Sequence, residues 1–277
     1  MKVVPTPRAL ACLAVPLLAP GASRIVGGCL VARQGSFLRL ERTAEPGNVQ
    51  SEWDLDRMRA PDYAGTMAEM ARTALDGRAG VQNILILGHG GGTMAADLLT
   101  SPPDWRMRIM AVEADADVVE AAQQHFHPHM FADSEAAVTS RLTVVQADAV
   151  DLISRAAAGG ASALRDAPDA ADAVLKGAAY DVILEDFAYE RPGWLRAPFW
   201  RALRTLAAPD AHLIVNTLYE HPKHMRELEH ELRSGGWRHV RQHVDRGLQA
   251  ESGEQRTSAD PSTWRYRDNM IFEARRK

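Results

Sequence analysis

Five short apolar runs, at residues 83–87, 108–112, 142–146, 180–184 and 212–216, recur along the chain with helix-type patterns between them. Each is rich in Val, Ile and Leu and lacks the alternation of a one-sided strand, which is how a strand buried on both faces reads. Helices are expected around 94–99, 116–125, 195–206 and 221–234. Strands that alternate with helices are joined by crossovers, and crossovers build a parallel sheet with helices on both faces. The predicted class is therefore α/β. Two further β-type runs, at 239–244 and 269–274, fit an antiparallel hairpin at the sheet edge and bring the sheet to seven strands.

Ahead of this unit, runs at 29–32 and 36–40 are broken by Gly35 and by the turn-forming Glu45-Pro46-Gly47-Asn48, which predicts a small antiparallel β region. Met67, Met70, Ala71 and Leu75 then recur at helical spacing, so a helix leads into the main domain. The organisation expected is an N-terminal region over 1–78 and a main domain over 79–277. An Ala/Gly/Asp-rich stretch over 154–177 reads as a surface insertion or flexible helix.

Composition excludes some classes. A net charge of -4 without a basic run offers no face for nucleic acid, which leaves a small-molecule partner. No apolar run reaches the ~18 residues of a membrane-spanning helix. Cys12 and Cys29 cannot form a disulfide framework and have no metal-ligand spacing, which points to a reducing, cytoplasmic compartment. The alternative is export: Lys2 and Arg8 precede an apolar stretch over 9–18 and the small residues Gly21, Ala22 and Ser23, the order of a signal peptide, although Pro16 interrupts it.

The chemistry concentrates at strand ends. Leu87-Gly88-His89-Gly90-Gly91-Gly92-Thr93 follows one predicted strand and opens a predicted helix, where glycines allow a sharp turn and close approach to a ligand. Glu113 ends the next strand about twenty residues on, the spacing at which Rossmann-like sheets hold ribose hydroxyls with a carboxylate. Asp148-Ala149 follows the third strand and Glu185-Asp186 the fourth. Each acid alone could be a helix N-cap. Together they outline one crevice on the C-terminal edge of the sheet, where open α/β folds bind ligands.

These residues carry a resemblance. The loop from Gly88 to Thr93, Glu113, Asp148-Ala149 and Tyr180-Asp181-Val182-Ile183-Leu184-Glu185-Asp186 are similar to the spermidine synthase family, a branch of the class I methyltransferase fold. Ile86, apolar where ordinary methyltransferases carry an acid, fits this branch, as do Val49-Gln50-Ser51 and Tyr63 upstream. The resemblance spans about 50–274 apart from the Ala-rich stretch. It implies a co-substrate, S-adenosylmethionine or its decarboxylated form, and a homodimer. It further implies that Glu113 holds the ribose, that Asp148 and Ala149 meet the adenine, that Gly88, Gly90 and Gly92 shape the donor pocket, and that Gln50 touches the donor. Tyr63 and Asp186 would border the acceptor.

Two positions depart from the family. Gly91 stands where the family's loop has an Asp that holds the aminopropyl nitrogen, and Tyr189 stands at the second Asp of its Asp-x-x-Asp motif. A dicationic diamine needs carboxylates to replace lost water, and its amine must shed a proton before attacking. Tyr189 is a poor base near neutrality, although Glu185 and Glu190 lie close in sequence. Methyl transfer depends more on aligning acceptor and sulfonium. Three readings stay open: methyl transfer to a small-molecule acceptor, aminopropyl transfer to a polyamine, and a non-catalytic nucleoside-binding module.

His125, His127 and His129 invite a zinc reading, but Pro128 puts them in a loop and no further ligand cluster accompanies them, so no metal is expected. His89 either faces the ligand or points to solvent. Trp194 is a candidate pocket residue, whereas Leu195, Phe199 and Leu203 read as the buried stripe of a helix.

Overall fold

The computed structural model describes residues 2–4, 16–47, 49–100, 106–131, 140–163, 179–187, 196–218, 222–245 and 269–276. In chain order the elements are β1 (Lys2–Val4), β2 (Ser23–Val26), β3 (Cys29–Gln34), β4 (Phe37–Arg42), β5 (Val49–Asp54), α1 (Asp62–Leu75), β6 (Gln82–Leu87), α2 (Thr93–Leu99), β7 (Met107–Glu113) and α3 (Ala116–Ala121). A π-helical turn (Ala122–Phe126) leads into α4 (His127–Met130). Then come β8 (Leu142–Gln146), α5 (Ala149–Ala163), β9 (Tyr180–Glu185), α6 (Ala197–Leu206), β10 (Ala207–Leu218), α7 (Pro222–Ser234), β11 (Arg238–Asp245) and β12 (Asn269–Arg275).

The large sheet has the order β1-β8-β7-β6-β9-β10-β12-β11. The pairs β8-β7, β7-β6, β6-β9 and β9-β10 are parallel, while β12 runs antiparallel to both β10 and β11. These are the seven strands expected. An eighth, β1, adds to the edge antiparallel to β8, with Val3 opposite Val145. The sheet is buried on both faces, as its apolar runs require. Ile84 and Ile86 enter one core cluster with α1, α2 and α3, whereas Leu85 and Leu87 enter the other with Leu152, Trp200, Leu203 and Leu228. Each such side chain contributes about 1.5–3 kcal/mol by leaving water.

The N-terminal β region is a four-stranded antiparallel sheet, β2-β3-β4-β5. Sequence patterning misses β2 and β5. β2 leaves Ile25 exposed, and β5 reads Val-Gln-Ser-Glu-Trp-Asp, with its apolar content confined to Val49 and Trp53. What buries β5 is docking: Leu40 and Trp53 share a core cluster with Met67 and Ala71 of α1 and Val118 of α3. Polar contacts fix the orientation. Gly28 N–H donates to Asp117 Oδ2 at 2.7 Å, and Arg42 pairs with Asp115 at 2.7 Å. Arg72 of α1 pairs with the buried Asp97 of α2, whose Oδ2 accepts the Ala60 N–H at 2.9 Å.

Two local expectations change. The stretch holding His125, His127 and His129 is a π turn followed by α4, with Pro128 in the first turn of that helix, where a missing N–H costs nothing. Strand β10 begins at Ala207, five residues before the apolar run, with a register shift against β9 between Ala207 and His212. The start of the Ala-rich stretch continues α5 to Ala163, one of the two forms expected, and 164–177 lies outside the described residues. Among the described residues no helix is long and apolar enough to cross a membrane.

Candidate functional site

Strand β6 ends at Leu87 and the chain turns at once. Gly88 takes φ +93°, and a Cβ there would lie 2.8 Å from the backbone carbonyl of Asp186. Only glycine fits, because the obstruction is main chain that cannot swing aside. The turn is pinned from both sides: Gly88 N–H donates to Val112 at 2.9 Å, and Asp186 N–H donates to Leu87 at 2.8 Å. The next glycines are also demanded by packing against protein. A Cβ on Gly90 would run into Ser51 and the Gln50 carbonyl, and one on Gly91 would lie 2.9 Å from the Phe126 ring and 3.0 Å from Ser51. Gln50 thus lies beside the loop, on β5.

Every backbone N–H from Gly88 to Gly92, in the turn that precedes α2, is bonded within the protein. His89 and Gly90 donate to Glu113 Oε2 at 3.2 and 3.0 Å, Gly91 donates to Ser51 Oγ at 2.7 Å, and Gly92 donates to the His89 carbonyl at 2.9 Å. Glu113 therefore faces the loop and organises it, with Oε1 also accepting the Asp115 N–H at 3.0 Å. Charge-assisted bonds of this kind are worth about 1.5–3 kcal/mol each. Glu113→Ala is expected to cost about 1.5–3 kcal/mol of folding stability or more, measured by urea denaturation, because it leaves the loop amides unpaired; stability equal to wild type would show that the carboxylate does not hold the loop.

The remaining strand-end acids divide by environment. Asp148 is exposed and its Oδ1 accepts the Asp151 N–H at 2.9 Å, so it caps α5, with Ala149 buried behind it. Asp115 caps α3 through the Asp117 N–H at 2.9 Å. The bland reading of a strand-end Asp thus holds for both as far as Oδ1 is concerned.

Asp186 is different. It is half-buried at the end of β9, and its carboxylate accepts from Tyr63 Oη at 3.2 Å and from Asn216 Nδ2 at 2.8 Å. Desolvation pushes its carboxyl up to about 7, with the Glu113 charge adding to the rise and the two hydrogen bonds opposing it. Tyr63, from α1, and Asp186, just past β9, are brought together although 123 residues separate them. Asn216 is the residue sequence reasoning missed. Only 1% of it is exposed, and its Oδ1 has no partner among the described residues. The signal that could have found it is an amide at the end of the otherwise apolar run 212–216.

Tyr189, Glu190 and Trp194 lie outside the described residues. Phe199 is buried with Trp200 and Leu203, as the helical stripe predicts, and its ring packs edge-on against Phe187, 6.1 Å between centroids. Among the described residues no group of three or more His, Cys, Asp or Glu side chains is arranged to hold a metal. His89 meets neither expectation: its ring turns inward and is buried.

A glycine turn clamped between β7 and β9, an acid at the end of β7 and a second acid at the end of β9 all sit on the C-terminal edge of one sheet. Solved structures share that arrangement of strands over most of the chain. A probable spermidine synthase from Corynebacterium glutamicum superposes with a TM-score of 0.59 at 17% identity, covering 94% of this chain and 80% of that one. Spermidine synthase from Thermotoga maritima gives a TM-score of 0.54 at 14% identity, covering 92% and 72%. This is the spermidine synthase fold. A further spermidine synthase, solved in complex with the transition-state analogue AdoDATO, gives a TM-score of 0.56 at 14% identity, also covering 92% of this chain and 72% of that one. At these identities the likeness to spermidine synthases is one of fold. No protein-family model matches the sequence, and no curated protein matches it.

Proposed function

We propose that the chain is a transferase that takes S-adenosylmethionine as donor and moves its methyl group to a small-molecule acceptor. The observation that carries this reading is Asp186: a carboxyl raised to about 7, hydrogen-bonded by Tyr63 and Asn216 and within electrostatic reach of Glu113, one peptide past the strand that clamps the glycine turn. A carboxylate with such a value can take a proton from an acceptor hydroxyl or amine near neutral pH. In the step proposed, the acceptor's lone pair attacks the methyl carbon, the carbon–sulfur bond breaks, and its electron pair returns to sulfur. The sulfonium becomes a neutral thioether, and the acceptor's proton passes to Asp186.

Gly91 supports methyl over aminopropyl transfer. The family's Asp would start from a Cβ that here meets Phe126 at 2.9 Å and Ser51 at 3.0 Å, so the loop has neither the carboxylate nor room for one. The Asp186–Tyr63 contact serves a second reading equally, aminopropyl transfer from the decarboxylated donor, because an amine nucleophile must lose a proton. Incubation of the protein with S-adenosylmethionine and an acceptor panel should release S-adenosylhomocysteine. Release of methylthioadenosine from the decarboxylated donor and putrescine would transfer the assignment to the second reading. Absence of any binding of S-adenosylmethionine, its decarboxylated form, S-adenosylhomocysteine or methylthioadenosine by isothermal titration would reject both.

A further inference from the structure

His89 sits in the middle of the glycine turn, yet only 5% of it is exposed, and His127 at the start of α4 is 8% exposed. Their Nε2 atoms are 3.2 Å apart, with the rings edge to face at 82°. The back of His127 packs on the Phe131 ring at 5.4 Å between centroids. Burial pushes His127 down to about 4 and His89 well below the ordinary imidazole range, so both rings are neutral near pH 7.

Two neutral imidazoles meeting through Nε2 share one proton, and the surroundings decide which ring supplies it. His89 Nδ1 is buried without a partner among the described residues. A proton there would leave an unpaired buried N–H, the costlier of the two arrangements. His89 therefore carries its proton on Nε2 and donates to His127 Nε2, and His127 carries its own on Nδ1.

Two sequence features serve this contact. A Cβ on Gly92 would lie 2.8 Å from His89 Cε1 and 2.9 Å from His127 Nε2, so the last glycine clears space for the two rings. The π turn over Ala122–Phe126 adds one residue relative to an α-turn, which rotates the residues of α4 by about 100°. That rotation brings His127 to the loop.

We propose that His89 and His127 are a positioning pair, a hydrogen-bonded latch that fixes the glycine turn against the α3–α4 segment and so presets the backbone that receives the donor. The clause about the donor rests on the function proposed above; the latch itself does not. Neither imidazole acts on the reacting atoms.

Three measurements test it. Long-range ¹H–¹⁵N spectra of the wild-type protein at pH 7 should show His89 protonated at Nε2 and His127 at Nδ1. In His127→Leu, amide exchange at residues 90–92 should accelerate about tenfold or more, and S-adenosylhomocysteine affinity should fall by a similar factor. His127→Gln, which keeps an acceptor for the His89 N–H, should recover most of both. Protonation of His89 at Nδ1, or loop exchange in His127→Leu within twofold of wild type, would overturn the latch. Should His127→Leu not fold, the wild-type spectrum and His127→Gln still decide: the Gln variant must keep slow loop exchange for the latch to stand. Failure of wild type to bind S-adenosylhomocysteine would reject the donor assignment and leave the tautomer and exchange results to judge the latch alone.

Discussion

Asp186→Asn is expected to lower kcat/KM by about 10²–10⁴ while making the folded protein more stable at pH 8. The two effects share one cause. Desolvation raises the folded-state carboxyl from 3.8 to about 7, so the native state binds this proton more tightly than the unfolded chain does. The contribution to stability is fully present below about pH 4 and is lost as pH rises through about 7, because above that value an ionised carboxylate is held where water is scarce. Asparagine removes that charge and can keep both neighbours, accepting from Asn216 and donating to the Tyr63 oxygen. A gain of about 1–2 kcal/mol at pH 8 is expected, allowing for the half-buried position, and it should shrink to nothing near pH 4. Thermal melts of both proteins across pH 4–8 check this. For the wild type, kcat/KM should climb with pH through about 7 as Asp186 ionises. A flat profile there, or an Asn variant that retains full activity, would remove Asp186 from the proposed chemistry.

Gly88→Ala is expected to be severely damaging, because a main-chain clash and a positive φ coincide there. The new Cβ would sit 2.8 Å from the carbonyl carbon and oxygen of Asp186 and 3.1 Å from Phe187 N, all main-chain atoms, at φ +93°. Relief requires separating β6 from β9 at the point where Asp186 N–H meets the Leu87 carbonyl. Backbone strain plus clash should cost about 3 kcal/mol or more, together with loss of donor binding. Gly35→Ala supplies the control, since it has φ +60° but nothing within 4 Å of the new methyl. It should cost only about 1 kcal/mol and leave binding intact. Equal losses for the two variants, measured by urea denaturation, would mean that φ alone sets the penalty and that Gly88 is not wedged against β9.

How much of the fold was legible in the chain depends on how local each cause is. Residues 83–87 announce a two-sided strand because Ile84 and Ile86 need one core and Leu85 and Leu87 the other, a demand visible without knowing the partners. Glu113 and Asp186 were legible as strand ends for the same reason. Asn216 was not: it reaches Asp186 only because β10 lies parallel to β9 with Val215 opposite Glu185, a register that spacing alone does not contain. The inward turn of His89 depends on a π turn more than thirty residues away, and no local propensity encodes that. β5 shows the same limit from the other side, since Ser51 and Trp53 are buried by what docks on them rather than by their own pattern.

The carboxylate of Glu113 already receives three amide hydrogens, from His89, Gly90 and Asp115. An ionised carboxylate offers about four lone-pair positions, and a ribose brings two hydroxyls. A sugar seated there would have to evict at least one amide, so capture becomes an exchange of partners after first encounter. Its observed association rate would then level off at high nucleoside concentration instead of growing in proportion, with the plateau reporting how fast the turn lets go.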